Sequence, residues 1–136
     1  AENVSVGRLA SRISIILKGK NKPHYSPNLP VGDGVIIINS DKIKFTGKKN
    51  SDKKYYRHSG HPGGIKETTP DQLKNRNKSD YLIKSAIKGM LPNTPLFRHL
   101  IKNSLKVYKG DSHPHESQNP TEINFLKLNP KNEIHD

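Results

Sequence analysis

An unbroken run of four β-branched residues, from Val35 to Ile38, constrains the fold of this chain more than any other feature. A turn signal, Gly32-Asp33-Gly34, precedes the run. A strand without polar alternation is buried on both faces, which is typical of a parallel sheet covered by helices. The run therefore predicts the central strand of an α/β domain.

Four segments carry helix signals around this strand. Apolar residues recur with helical spacing from Val6 to Leu17, and Gly19 predicts the end of that helix. The clearest amphipathic pattern follows Ser79, a candidate cap, and ends at Pro92. Thr94-Pro95 predicts the start of a further helix, and Thr69-Pro70-Asp71-Gln72 has the form of a capping box that begins a short one.

The remaining segments predict short strands and long loops. Residues 42–46 alternate with period two, which predicts a second strand, and 106–108 predicts another. Residues 18–30 contain three prolines and predict an irregular loop. Residues 47–66 contain four glycines and no apolar period, so they predict an extended loop.

The net charge of +12 comes from 24 Lys and Arg against 12 Asp and Glu, and it is unevenly distributed. Residues 7–25 hold five basic and no acidic side chains, and residues 42–66 hold eight basic and one acidic. Such a field attracts polyanions, so nucleic acid is the first partner to consider. The apolar runs are far shorter than the roughly 18 residues that would predict a membrane span. The absence of cysteine excludes disulfides and Cys-based zinc sites.

Histidines in the basic segments leave an alternative open, a metal-dependent nuclease using His58, His61, His113 and His115. A zinc site needs three or four convergent ligands, and no helix aims these rings at one point. We favour the interpretation that the imidazoles contact phosphates or bases. No nucleophilic or nucleotide-hydrolysing motif is present, so we expect no cofactor and no small-molecule substrate. A free-standing DNA-binding module is a second alternative, although no helix clusters base-reading side chains.

Two segments combine cations with aromatic rings. Residues 48–58 hold five Lys and Arg, one His and two adjacent tyrosines, and residues 18–25 form a second basic segment. Cations neutralise phosphates, and tyrosine planes stack on unpaired bases. Glycines in 61–66 let the backbone approach another backbone closely. These segments predict RNA binding.

Short strings occur in one register over about nine-tenths of the chain. They are Gly7-Arg8-Leu9-Ala10-Ser11, Leu17-Lys18-Gly19-Lys20, Gly32-Asp33, Val35 to Asn39, Lys42-Ile43, Thr46-Gly47-Lys48-Lys49, Lys54-Tyr55-Tyr56-Arg57-His58-Ser59-Gly60, Pro62-Gly63-Gly64-Ile65-Lys66, Ala86, Gly89-Met90-Leu91-Pro92, Leu105-Lys106-Val107-Tyr108 and His113-Pro114-His115 with Gln118 and Pro120. As an ordered set they resemble the universal large-subunit ribosomal protein thirteen family in its bacterial form.

The resemblance implies a three-layer α/β/α domain around a small, mainly parallel four-stranded sheet, with long basic loops. It implies one domain over 1–125, with the family's first strand missing ahead of Ala1, and a C-terminal extension over 126–136 that meets a protein neighbour or forms a loose tail. Phe97 stands where relatives usually have glycine before Arg98, which puts RNA approach there in question.

The function implied by the resemblance is a structural, non-enzymatic one in the large ribosomal subunit. The partners would be large-subunit ribosomal RNA, bound early in assembly, and neighbouring ribosomal proteins. Ile, Lys and Asn supply 45 residues, a bias typical of AT-rich coding, so we expect a mitochondrial matrix more than a bacterial cytoplasm. The predicted RNA-binding residues are Arg8, Arg12, Lys18, Lys20, Lys22, His24, Tyr25, Lys48, Lys49, Lys53, Lys54, Tyr55, Tyr56, Arg57, His58, His61, Gly63, Gly64, Lys66, Arg98, His113 and His115.

Overall fold

The α/β class predicted from the sequence is confirmed by the computed structural model, which describes residues 1–128. Residues 129–136, most of the predicted C-terminal extension, lie outside the described residues. Short 3-10 turns occupy Ser40–Lys42 and Glu116–Gln118. The helices and strands are, in chain order, α1 (Val6–Lys18), β1 (Val35–Ile37), α2 (Lys49–Asp52), β2 (Tyr55–His58), β3 (Ile65–Thr68), α3 (Pro70–Asn75), α4 (Ser79–Met90), α5 (Pro95–Ser104), β4 (Leu105–Val107) and α6 (Phe125–Leu128).

Helices α1 and α4 pack against each other and supply the centre of the core. The apolar stripe predicted on α1 is buried, and Leu82, Ile83 and Ile87 of α4 are fully buried. Burial of each such side chain stabilises the fold by about 1.5–3 kcal/mol. As predicted, α1 ends at Gly19, whose left-handed backbone (φ 75°) lets its N–H donate to the carbonyls of Ile15 and Ile16.

The predicted strand is present as β1, which pairs in parallel with β4 in the register Val35↔Leu105 to Ile37↔Val107. Its predicted central position, buried on both faces, was wrong, because within residues 1–128 its sheet has two strands and only Ile37 of β1 is fully buried. The resemblance implied one four-stranded sheet. The strands within residues 1–128 instead form two separate sheets of two strands each. The predicted strand at 42–46 is reduced to one parallel bridge, Ser5↔Lys44. The 3-10 turn at Ser40–Lys42 includes Lys42, the residue at which the predicted strand would have begun.

The prediction of an extended loop over 47–66 was wrong. This segment contains α2, strand β2 and the start of β3, which pairs with β2 as an antiparallel hairpin, Tyr55↔Thr68 to His58↔Ile65. The turn between the strands uses Gly60 and Gly63, both at positive φ, a conformation that glycine adopts without steric cost. Most of the hairpin's side chains are exposed on both faces, so no apolar alternation marks the strands in the sequence.

The helix start signals were largely correct. Thr69 and Gln72 form the predicted capping box at α3, with both reciprocal hydrogen bonds present. The cap of α4 is Lys78 rather than Ser79; the buried Ser79 hydroxyl donates instead to the carboxylate of Asp41. This contact holds the 3-10 turn against the N-terminal end of α4.

The C-terminal ends of α1 and α4 lie together at the other end of the core. The Nζ of Lys18 donates to the carbonyl of Met90 at 3.1 Å, which supplies a cation to the negative end of the α4 dipole. None of the helices within residues 1–128 has the length and apolar character needed to cross a bilayer.

Candidate nucleic-acid interface

The β2–β3 hairpin is fixed to the core at one residue of β2. Tyr55 is half-buried and meets the ring of Tyr81 on α4 edge-on, with ring centroids 6.2 Å apart. Its hydroxyl oxygen is buried and has no hydrogen-bond partner among residues 1–128. Burial therefore raises the pKa of Tyr55, and the neighbouring Tyr81 raises it further. Beyond Tyr55 the rest of β2 is exposed.

The two faces of the hairpin carry different chemistry. Directly paired residues of an antiparallel ladder share a face, so Arg57 lies beside Lys66, and both side chains are exposed. Neither forms an ion pair or hydrogen bond within the described part of the chain. The opposite face carries Tyr56 and Ile65, diagonal neighbours that are 63% and 62% exposed. One face thus presents paired cations, and the other presents an aromatic ring and an apolar side chain.

An ion pair ties the strands together near the hairpin's base. Lys54 Nζ lies 2.7 Å from Glu67 Oε2, and both side chains are about half exposed. The hydrogen bond and charge of Glu67 raise the pKa of Lys54. Lys54 is therefore partly neutralised within the protein, whereas Arg57 and Lys66 are not.

The chain leading into the hairpin adds exposed cations. Lys48 and Lys49 lie at the start of α2, and Lys49 Nζ donates to Thr46 Oγ1 at 3.1 Å. The Nζ of Lys53 lies 5.1 Å from the centroid of the Tyr55 ring and 6.0 Å from that of Phe45, at cation–π distance. The predicted residues from Lys48 to Lys66 therefore lie on consecutive elements, α2 and the β2–β3 hairpin.

The loop over residues 19–34, by contrast, folds back on itself. Lys22 Nζ donates to the Val31 carbonyl at 2.9 Å and also contacts the Asp33 carboxylate. Gly32 packs so closely that an added Cβ would lie 1.8 Å from the Leu17 carbonyl oxygen. Lys20 lies over the ring of Tyr25, with Nζ 5.8 Å from the centroid. Lys20 and His24 are exposed on this loop, whose backbone is held by the internal contacts just described.

The predicted residues on α1 and α5 are accessible. Arg8 and Arg12 are exposed on the outer face of α1. The exposed Arg98 donates from Nε to Asn93 Oδ1 at 3.0 Å. Phe97 is only 8% exposed and belongs to the core, so its ring does not cover the exposed Arg98.

The histidines are engaged locally. The Gly60 N–H donates to His58 Nδ1 at 3.0 Å, and the His115 N–H donates to His113 Nδ1 at 3.2 Å. The His115 Nε2 and the Tyr108 hydroxyl lie 2.7 Å apart. No group of three or more metal-ligating side chains converges within residues 1–128, so the geometry gives the nuclease alternative no support.

Two of the predicted surfaces are anchored at opposite ends of α4. The hairpin is anchored at Tyr81 near the N-terminal end, and Lys18 is anchored at Met90, the C-terminal residue. Nine residues of helix place these anchors about 14 Å apart along the axis. His61, Gly63 and Gly64 belong to the hairpin turn, whereas His113 and His115 follow β4.

Two residues that the sequence analysis omitted belong to these surfaces. Ile65 lies on the exposed hairpin face beside Tyr56, and no apolar alternation around it in the sequence marked it. Lys88 lies with Arg98 in a groove between α4 and α5. No sequence signal distinguished it from any other lysine on a solvated helix face.

Fold and surface together define a class: a small, strongly basic α/β domain that carries its exposed cations on a hairpin, on loops and on helix faces. The chain belongs to the family described as ribosomal protein L13, whose model matches residues 1–114.

Relatives in several bacteria carry the name large ribosomal subunit protein uL13. The protein of Thermosipho africanus is 54% identical over 92% of this chain and 83% of the relative. That of Wolbachia pipientis from Culex pipiens is 48% identical over 97% of the chain and 86% of the relative. That of Trichlorobacter lovleyi is 50% identical over 92% and 87%. These relatives are bacterial, and they lend no support to the predicted mitochondrial compartment.

Proposed function

We propose that this chain is a structural, non-enzymatic constituent of the large subunit of a bacterial-type ribosome, where it binds large-subunit ribosomal RNA and supports early assembly. Family membership over nearly the whole chain supports the assignment, as does a net charge of +12. Neighbouring ribosomal proteins would cover part of the remaining surface.

One observation supports RNA binding most directly: Arg57 and Lys66, which have no acidic partner within residues 1–128, face each other on the exposed hairpin. Like charges directly opposite each other destabilise an isolated two-stranded ladder, and a lone hairpin is only marginally stable. An RNA phosphate beside each of the two side chains would remove this repulsion and hold the hairpin in place. The arrangement therefore favours a polyanion as its natural neighbour.

The two groups of cations would contact separate RNA segments. The hairpin and α2 would form one contact, and the loop over 19–34 with Arg98 would form the other. The rigid α1–α4 core would set their separation. Because Lys outnumbers Arg 19 to 5, phosphate contacts would dominate over base reading. The full set is the 22 residues named in the sequence analysis; Lys22 and Lys54 would contribute least, since each already contacts a carboxylate.

Titration of purified chain against large-subunit ribosomal RNA, with duplex DNA as competitor, tests this function. About eight phosphate contacts predict a slope of log K against log salt on the order of −5 to −7. Excess duplex DNA should displace the RNA poorly at moderate salt, because the RNA contacts depend on folded shape. Equal competition by DNA would favour the free-standing DNA-binding module, and a flat salt response would contradict both.

A further inference from the structure

A second surface feature lies away from the hairpin, in the groove between the C-terminal end of α4 and the first half of α5. The groove has a volume of about 640 Å³, within the range of roughly 300–1,000 Å³ typical of ligand sites. Leu91, Pro92 and Ile101 supply an apolar part of its lining. The backbone of Gly89 adds an open edge, because a Cβ built there meets no atom within 4 Å.

The polar lining of the groove is cationic. Lys88 and Arg98 both line it and are exposed, and none of the described lining residues is acidic. The hydrogen bond from Arg98 Nε to Asn93 Oδ1 orients the guanidinium and leaves its terminal nitrogens without a partner in residues 1–128. Lys18 Nζ, bound to the Met90 carbonyl, adds a third positive charge at the same helix end.

We propose that this groove binds one unpaired nucleotide of the ribosomal RNA, with its phosphate on Lys88 and Arg98 and its base against Pro92 and Ile101. An apolar surface next to two cations matches the two chemical parts of a nucleotide, a flat base and an anionic phosphate. Charge complementarity favours RNA over a cationic protein segment. The inference rests on the proposed function, and it extends that function by assigning this groove to an unstacked base.

Gly89 offers a way to fill the groove without disturbing the core. Gly89→Trp places a large ring over the groove from an exposed helix position, and Gly7→Trp is the matched control on another exposed helical glycine that is open to solvent. Complexes of each full-length variant with large-subunit ribosomal RNA are probed with a base-reactive reagent. The wild-type chain and Gly7→Trp should protect one unpaired nucleotide that Gly89→Trp leaves reactive, while protection elsewhere is unchanged.

A second measurement addresses the phosphate. Changing Lys88 and Arg98 together to glutamine should reduce the magnitude of the salt slope by about 0.7, the contribution of the one single-strand phosphate that the two side chains share. The proposal would be overturned if Gly89→Trp gave the same footprint as the wild type, or if Gly89→Trp melted normally but lost protection at every nucleotide. Cross-linking that joins the groove to a protein instead of RNA would also overturn it. Absence of any wild-type protection would instead contradict the proposed function itself.

Discussion

Replacing Arg57 and Lys66 together by glutamine should weaken RNA binding while leaving the free protein slightly more stable. The two side chains are cross-strand neighbours on an exposed hairpin and have no acidic partner within residues 1–128. Removing their mutual repulsion should stabilise the isolated protein by about 0.3 kcal/mol, near the low end for a cross-strand pair. Stability and affinity should therefore change in opposite directions.

The size of the binding effect follows from counterion release. Two lost phosphate contacts reduce the magnitude of the salt slope by about 1.8, at about 0.9 per contact. Between about 50 and 200 mM salt, the wild-type affinity should consequently fall by about 12-fold more than that of the double variant. Titration of fluorescently labelled ribosomal RNA at several salt concentrations measures this difference, and denaturant unfolding measures the stability.

Lys84→Gln provides the control for a lost positive charge. Lys84 already pairs with Asp80 at 3.1 Å, four residues earlier on α4, so its removal should leave the salt slope nearly unchanged. The reasoning would be refuted if the double variant kept the wild-type slope, or if Lys84→Gln lowered the slope as much as the double variant did.

Two further predictions concern the scaffold. Gly32→Ala should destabilise the protein by about 1–3 kcal/mol in denaturant unfolding, because the added Cβ would collide with the Leu17 carbonyl. Gly34→Ala is the control and should be nearly neutral, since the atom nearest to its added Cβ is 3.7 Å away. Equal effects of the two variants would contradict the close packing of this loop. Stability should fall as pH rises above 10.0 and through the raised pKa of Tyr55, because the unfolded chain then loses a proton that the folded chain keeps. The pKa of Lys54 is also raised by folding, so its titration lowers the stability in the same direction. Tyr55→Phe, which removes an unpartnered buried hydroxyl, should reduce that alkaline loss and leave neutral-pH stability equal or higher; a large loss at neutral pH would indicate that the hydroxyl has a partner.

The parts of the fold predictable from the sequence are those with an apolar period. Most of the stripe residues on α1 and α4 are buried as expected, because burying them provides most of the stabilisation, whereas in the run that forms β1 only Ile37 is fully buried. Local signals also succeeded where the chemistry is local, as in the capping box at Thr69 and Gln72. The strand expected at 42–46 failed because long-range contacts, including that of Asp41 with Ser79, hold the preceding residues in a turn.

The candidate site was predictable in composition but not in arrangement. The sequence shows that cations cluster between Lys48 and Lys66, but it carries no apolar alternation to reveal that Arg57 and Lys66 are cross-strand partners. It also cannot show that Lys88 and Arg98 line the same groove, because their placement depends on how α5 packs against the end of α4. Such arrangements are tertiary, and charge runs alone do not specify them.

Quantitative mass spectrometry of purified ribosomal subunits tests the central claim most directly. The account predicts one copy of this chain in each large subunit, none in the small subunit, and a large-subunit precursor that accumulates when the chain is depleted. Large subunits that lack the chain and form at a normal rate without it would contradict the account.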